Sequence, residues 1–289
     1  MTDIDIRKID SHEEYYQCEQ LQKEIWGFED IAVVPNHLLI TAQHHGGLLL
    51  GAFDGDQLVG FAFSFPGLEE ARTKHCSLMC GVREGKRYEG LGFALKQRQR
   101  KEVAAKGLDL ITWTFDPLQS LNGYFNLSKL GAISKTYLRN YYGDIRDELN
   151  QGATTDRLLA HWWITTSRVK ARRDGINSSA NSKLTINESN TANQVDEENS
   201  GLPRCRSYDL EVESGNLYIQ VPQNIGKIRK ADPGLASSWR TKTRKIFESY
   251  LDRGYAVCGF INRGESSFYR LRKIDDRALL GETNENTKT

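Results

Sequence analysis

The stretch that most restricts the fold is VREGKRYEGLGFALKQRQR, residues 82–100, which runs from the end of an apolar strand through a glycine-bearing loop straight into an amphipathic helix. Its core is Arg87-x-x-Gly90-x-Gly92. Two glycines let the backbone turn tightly and approach a ligand without Cβ clashes. The first N–H groups of a helix have no partner inside it, and the helix dipole is positive there, so the loop is suited to an anion such as pyrophosphate. Neither the dinucleotide fingerprint G-x-G-x-x-G nor the P-loop G-x-x-x-x-G-K-[ST] is met. This is a phosphate loop of another kind.

The flanking elements alternate. Ser11 with Glu14 fits a capping box that opens a helix carrying Tyr15, Cys18, Leu21 and Ile25 on one side. Asn36 is in position to cap a shorter helix. The strands GLLLGAF and LVGFAFSF meet at Asp54-Gly55, a hairpin signal, and a third strand, HCSLMCGV, ends at Val82. The helix after the glycine loop spans about 92–106 and stops at Gly107. LDLITWTF is a buried-strand run. Asp116-Pro117 reads as an N-cap and first helical residue of a helix to Leu130, and AISKTYLRNYY and LLAHWWITT read as further strands. The order predicts an α/β domain with a mixed sheet and helices on both faces.

Composition sets the expected boundaries. Residues 170–202 lack aromatics and are rich in Ser, Asn, Thr, Asp and Glu, too polar to offset their ordering entropy. The predicted organisation is a main α/β domain over 1–168, a disordered linker over 169–203, a small C-terminal α/β unit over 204–276 and a flexible tail over 277–289. The β-α-β-β order of the small unit echoes the end of the first domain.

A formal net charge of +1 gives no field favouring nucleic acid or an anionic membrane. No apolar run approaches the roughly 20 residues of a membrane-spanning helix, and the polar N-terminus lacks a signal-peptide core, so a cytoplasmic location is expected. Five scattered cysteines offer no second Cys/His pair at zinc spacing, so no metal site is expected. The one basic run, KIRKADPGLASSWRTKTRK, is a solvated helix face or a device in which Arg240 or Arg244 captures a substrate carboxylate.

Strand, then Arg87-x-x-Gly90-x-Gly92, then a helix with Leu91, Ala94 and Leu95 on its apolar face resembles the acyl-CoA pyrophosphate loop of the GNAT acyltransferase superfamily. LDLITWTFDPLQSLNGYFNLSKLGA is similar to that superfamily's next strand and helix, ending at Lys129, Leu130, Gly131 and Ala132. The resemblance covers about residues 4–168. The whole chain resembles a bacterial branch of predicted acetyltransferases.

The resemblance implies direct transfer of an acetyl or longer group, such as succinyl, from acyl-CoA to a primary amine, without a metal. The acyl-CoA would lie between strands HCSLMCGV and LDLITWTF. Backbone N–H groups near Met79, Cys80 and Val82 would hold the pantetheine and thioester oxygen. The loop residues Arg87, Tyr88, Glu89, Gly90, Leu91 and Gly92 would hold the pyrophosphate, and Asn122 and Phe125 would touch the cofactor arm. His75 is the candidate base by its intrinsic pKa. The family's usual tyrosine acid falls at Leu127 here, leaving Tyr124, Tyr141 or Tyr142 to substitute. Glu24 is a further candidate base on the acceptor side. The expected acceptor is a small molecule, an amino acid or related metabolite, with a homodimer compatible. A non-catalytic acyl-CoA-binding regulator is the competing expectation, motivated by Leu127.

Overall fold

A short polar segment, Ile4–Lys8, forms the first strand, β1. The computed structural model of the protein describes residues 4–69, 71–85, 90–143, 154–174, 185–197 and 201–273. After β1, helix α1 (His12–Trp26) starts at the expected capping box: Ser11 Oγ accepts from the Glu14 N–H at 3.2 Å while Glu14 accepts from the Ser11 N–H. Gly27, left-handed at φ 67°, ends it. Helix α2 (Asn36–His44) follows, but Asn36 is its first residue rather than its cap; the Asn36 N–H is taken by the Glu19 side chain from α1.

Three strands come next: β2 (Leu48–Asp54), β3 (Gln57–Glu69) and β4 (Arg72–Val82). Left-handed Gly55 (φ 61°) makes the β2–β3 turn where the sequence placed it. The glycine loop then leads into α3 (Leu91–Ala105), and β5 (Leu110–Phe115) returns the chain.

The chain forms two compact units that divide after Trp113. In the first the strand order is β1-β2-β3-β4-β5, antiparallel as far as β4, with β5 parallel to β4. Its helices lie on opposite faces. A Cβ on Gly81 would strike Ile25 and Trp26 of α1, whereas one on Gly60 would meet Leu95 of α3. Those two glycines sit on neighbouring register positions of β3 and β4, whose side chains alternate between the faces. The core under α1 and α2 gathers Tyr15, Cys18, Leu21, Leu39, Leu49, Phe61 and Phe63.

The second unit starts with α4 (Ser120–Gly123), which widens into a π turn over Tyr124–Lys129. It continues through β6 (Ile133–Leu138), β7 (Arg157–Trp163), α5 (Ser167–Arg173), β8 (Asn193–Glu197), β9 (Pro203–Tyr208), β10 (Leu217–Pro222), α6 (Ile225–Ala231), α7 (Pro233–Asp252), β11 (Tyr255–Arg263) and β12 (Ser266–Lys273). Its strands run β7-β6-β11-β12-β10, with β8 and β9 as a separate hairpin. Helix α7 buries Leu235, Trp239, Thr243, Ile246, Phe247 and Tyr250.

The boundaries differ from those expected. Most of helix α5 and all of strand β8 fall inside the expected linker 169–203, and β8 pairs with β9 from Asn193–Tyr208 to Glu197–Pro203. Such pairing satisfies the polar backbone without aromatic side chains, which is why composition misread it. Strand β6 pairs with β11, so residues expected in separate domains share one unit. The tail expected over 277–289 lies outside the described residues.

Candidate functional site

Strands β4 and β5 pair in parallel at His75–Ile111 and Cys76–Thr112, and among the described residues no further rung joins them. Strand β4 nevertheless continues to Val82. At the point of parting, the β3–β4 register slips: Phe63 faces Met79, while the next residue, Ser64, faces Ser77. Leu78 is therefore the extra residue of a β-bulge, which locally bends and twists the strand. It is nearly half exposed, at 46%.

The bulge resets which way β4 points. Arg83 N–H donates to Val59 O at 2.8 Å, so by antiparallel alternation the backbone groups of Gly81 and Met79 also face β3. Those of Cys80 and Val82 face the opposite edge, where the pairing with β5 has ended. Of the three backbone donors expected from the sequence, Cys80 and Val82 stand on that edge. Met79 does not: its amide belongs to the β3 ladder, and its side chain packs on the core beneath α1.

Helix α3 begins beside this edge. Gly90 is its N-cap, left-handed at φ 78°, and a Cβ there would meet nothing within 4 Å. The site thus demands glycine for its backbone while leaving open space above it. Leu91 is buried and seats the first turn, and Gly92 is half-buried. Arg87, Tyr88 and Glu89 lie outside the described residues.

Behind the edge lies a polar cluster that the sequence reading missed. Helix α3 buries Leu91, Leu95, Lys96, Gln99 and Val103. Lys96 Nζ donates to Gln99 Oε1 at 2.6 Å and to Ser77 Oγ at 3.1 Å, and sits 4.0 Å from the centre of the Trp113 ring. Gln99 Nε2 donates to the same Ser77 Oγ at 3.1 Å. Burial pushes the Lys96 amine down to about 8, with the Cys80 thiol acting weakly the other way. The signal was present in the sequence: 91, 95, 99 and 103 trace one helix face, and Gln99 stands in the middle of it.

The remaining candidates are placed less favourably. His75 is fully buried, on the paired part of β4. Its Nε2 is 3.3 Å from Gly46 O, a carbonyl that also accepts from Lys106 Nζ at 2.6 Å, and its Nδ1 has no hydrogen-bond partner. Burial, with the charges of Lys106 and Lys96, lowers its pKa to about 4 against the pull of the Gly46 bond. A neutral imidazole closed off from solvent cannot collect a proton from an incoming amine, so the expected role of His75 as base is corrected. It is instead a stability determinant. Unfolded, His75 binds a proton below about pH 6.5, whereas folded it resists until about pH 4, so stability falls as the pH drops through that window. Between pH 7 and pH 4.5 the loss is about 2 kcal/mol. Urea unfolding of wild type and His75→Gln should therefore show a shallower acid loss in the variant; parallel curves would refute this.

Glu24, at the end of α1, is held by Arg83 Nε at 2.9 Å. With Glu13, Tyr16, Asp54, Asp56 and Arg83 it lines an open depression of about 520 Å³. It is thus an ion-paired surface carboxylate.

Within the second unit, Tyr124 (36% exposed) opens the π turn with Lys129 Nζ 5.7 Å from its ring, and Tyr141 (52% exposed) stacks edge-on to Tyr142 at 4.7 Å. Asn122 is exposed, Phe125 is half-buried, and Leu127 is fully buried. Arg240 and Arg244 are already engaged, so their expected capture of a substrate carboxylate is corrected. Arg240 makes a buried bidentate pair with Asp116 at 2.6 and 2.7 Å. Arg244 grips Asp156 at 2.7 and 2.9 Å. Asp156 is fully buried; burial alone would raise its carboxyl, but donors from Arg244, Asn140 N–H and Tyr137 outweigh this and lower it. Asp116 is not a helix cap either: Gln119 occupies that place, and Asp116 Oδ1 accepts from the Leu118 N–H at 2.8 Å.

Among the described residues no helix is long and apolar enough to cross a membrane. No protein-family model matches the chain, and no curated protein matches its sequence. Among solved structures the chain is similar to the ribosomal-protein-S18-alanine N-acetyltransferase from Escherichia coli, at 16% identity and TM-score 0.45, over 57% of this chain and 96% of that one. It is similar to an aminoglycoside 6′-acetyltransferase type Ii at 22% identity and TM-score 0.44, over 55% and 96%. A further likeness is to an acetyltransferase of the GNAT family from Streptococcus pneumoniae, at 13% identity and TM-score 0.45, over 55% and 98%.

Proposed function

We propose that the protein is an acyl-CoA-dependent N-acyltransferase that moves an acetyl or longer acyl group to the primary amine of a small molecule, an amino acid or related metabolite. The observation that carries this reading is the fork of β4 and β5. Two parallel strands part beside a β-bulge, and the longer one runs toward a glycine-capped helix N-terminus. An extended chain with an anionic end fits that arrangement. Its amide groups would pair with the backbone of Cys80 and Val82, and its pyrophosphate would rest in the open space over Gly90, on the N–H groups of the first turn of α3.

The chemistry needs no covalent enzyme intermediate. A neutral amine attacks the thioester carbon, the carbonyl oxygen gains charge, and a backbone N–H aimed at that oxygen lowers the barrier. In this reading the donor is the Cys80 N–H, on the edge of β4 that faces away from β3.

Calorimetric titration with acetyl-CoA and succinyl-CoA tests the reading. Binding of either at one site per chain is the expected result, and the preferred thioester then guides an amine screen. A folded protein that binds neither would overturn it. Leu127, buried where the family's acid would fall, gives the competing reading of a non-catalytic acyl-CoA-binding protein its motive. Stoichiometric binding without turnover over a broad amine panel would favour that one.

A further inference from the structure

An amine buried at the foot of the fork calls for an explanation. Only 2% of Lys96 is exposed, and burying an ammonium is unfavourable unless its N–H groups are held. Here Ser77 and Gln99 accept from it, and the face of Trp113 lies beneath it. Ser77 is the last residue before the bulge, adjoining the final β4–β5 rung at Cys76. Among the described residues, Cys80 and His75 on β4 are titratable groups that interact electrostatically with Lys96. A purely structural core would place an aliphatic side chain in this position, as α3 does at Leu91, Leu95 and Val103.

We propose that Lys96 is the proton donor to the leaving group, its ammonium standing at the foot of the β4–β5 fork beside Ser77 and giving a proton to sulfur as the thioester breaks. This rests on the acyl-CoA reading above. A cosubstrate whose pyrophosphate sits at Gly90 extends along β4 from Val82 back toward the bulge, which brings its sulfur end to Ser77. The bond between acceptor nitrogen and carbonyl carbon forms, and the carbon–sulfur bond breaks with its electron pair going to sulfur. The Lys96 ammonium protonates that thiolate. The surplus proton of the acylated nitrogen leaves to water, and water reprotonates Lys96. A donor whose pKa is close to that of a thiol, about 8.5, is well matched to the transfer. Gln99 and Ser77 orient the amine by accepting N–H bonds from it.

The test uses acetyl-CoA as donor and hydroxylamine as a probe nucleophile, so that no natural acceptor is required. Lys96→Met should bind acetyl-CoA within about threefold of wild type and lose about 100-fold in kcat. It should also lose the fall in kcat that wild type shows above about pH 8. Lys96→Arg should be as slow as Lys96→Met, because a guanidinium does not release its proton in this range. Carbon-13 labelling of lysine side chains gives a readout independent of turnover: the signal missing from Lys96→Met should titrate near pH 8 in wild type. A folded Lys96→Met enzyme that keeps both its kcat and its alkaline limb would overturn the proposal while leaving the acyltransferase reading intact. A Lys96 signal titrating with the ordinary surface lysines would also overturn it. Failure of wild type to bind acetyl-CoA would remove both.

Discussion

Arg240→Met is expected to destabilise the second unit by about 3–5 kcal/mol, because it strands a buried carboxylate. Asp116 and Arg240 have side chains only 9% exposed, and they meet through two short parallel bonds. Asp116 also accepts from Leu118 N–H, while Tyr269 donates to the neighbouring Pro117 carbonyl at 2.8 Å. The pair thus pins the segment between β5 and α4 to the inner face of α7. Methionine retains much of the apolar stem of arginine, so the loss isolates the charge. For a unit of this size the melting temperature should fall by about 10 °C. The double variant Asp116→Asn/Arg240→Met removes the stranded charge, keeps an oxygen for Leu118, and should recover most of the loss. Thermal unfolding of the three proteins checks this; equal losses in single and double variants would show that the guanidinium contributes packing rather than charge neutralisation. Were Arg240 a substrate anchor, the single variant would stay stable and lose only acceptor affinity.

Gly90→Trp is expected to weaken acetyl-CoA binding by more than about 100-fold while the fold survives. That corresponds to about 2.7 kcal/mol or more of binding free energy. Two independent features act at this residue. Its φ of 78° is one that side-chain-bearing residues adopt reluctantly, so any replacement strains the cap of α3. No described atom lies within 4 Å of a Cβ built there, so an indole is directed into the volume assigned to the pyrophosphate. Gly90→Ala separates the two: it keeps the strain, leaves most of the space, and should lose only about tenfold. Calorimetric titration with acetyl-CoA, alongside a circular dichroism melt, measures both. Unchanged affinity in Gly90→Trp would place the anion elsewhere.

Much of the first unit was legible because its signals are local. The Ser11–Glu14 box, the Gly55 turn, the β4-loop-α3 transition and the glycine cap each depend on residues within a few positions of one another. Strand β1 escaped notice because IDIRK is an edge strand with charges at Asp5 and Arg7 and no long apolar run. What failed in the second unit is non-local. Nothing near Arg240 or Arg244 in sequence indicates Asp116 or Asp156, more than 80 residues away. A guanidinium poised for substrate and one committed to a buried carboxylate look alike until the chain is folded. His75 was read by its intrinsic pKa, whereas its behaviour is set by burial against the Gly46 carbonyl. Lys96 and Gln99 were hidden in a helix face that otherwise follows an apolar pattern.

The π turn at Tyr124–Lys129 changes how offsets along the sequence map onto directions in space. Leu130 N–H donates to Phe125 O, and Ala132 N–H to Asn126 O, so the backbone here closes wider rings than an α-helix does. Each residue of such a turn advances less than the α-helical 100°, and over its length the phase slips by about one residue. Counting back from Gly131 by α-helical spacing therefore reaches the correct letter of the sequence and the wrong azimuth in space. Leu127 lies within this turn and fills the core. A letter counted at a fixed offset along this segment therefore does not by itself fix a direction in space.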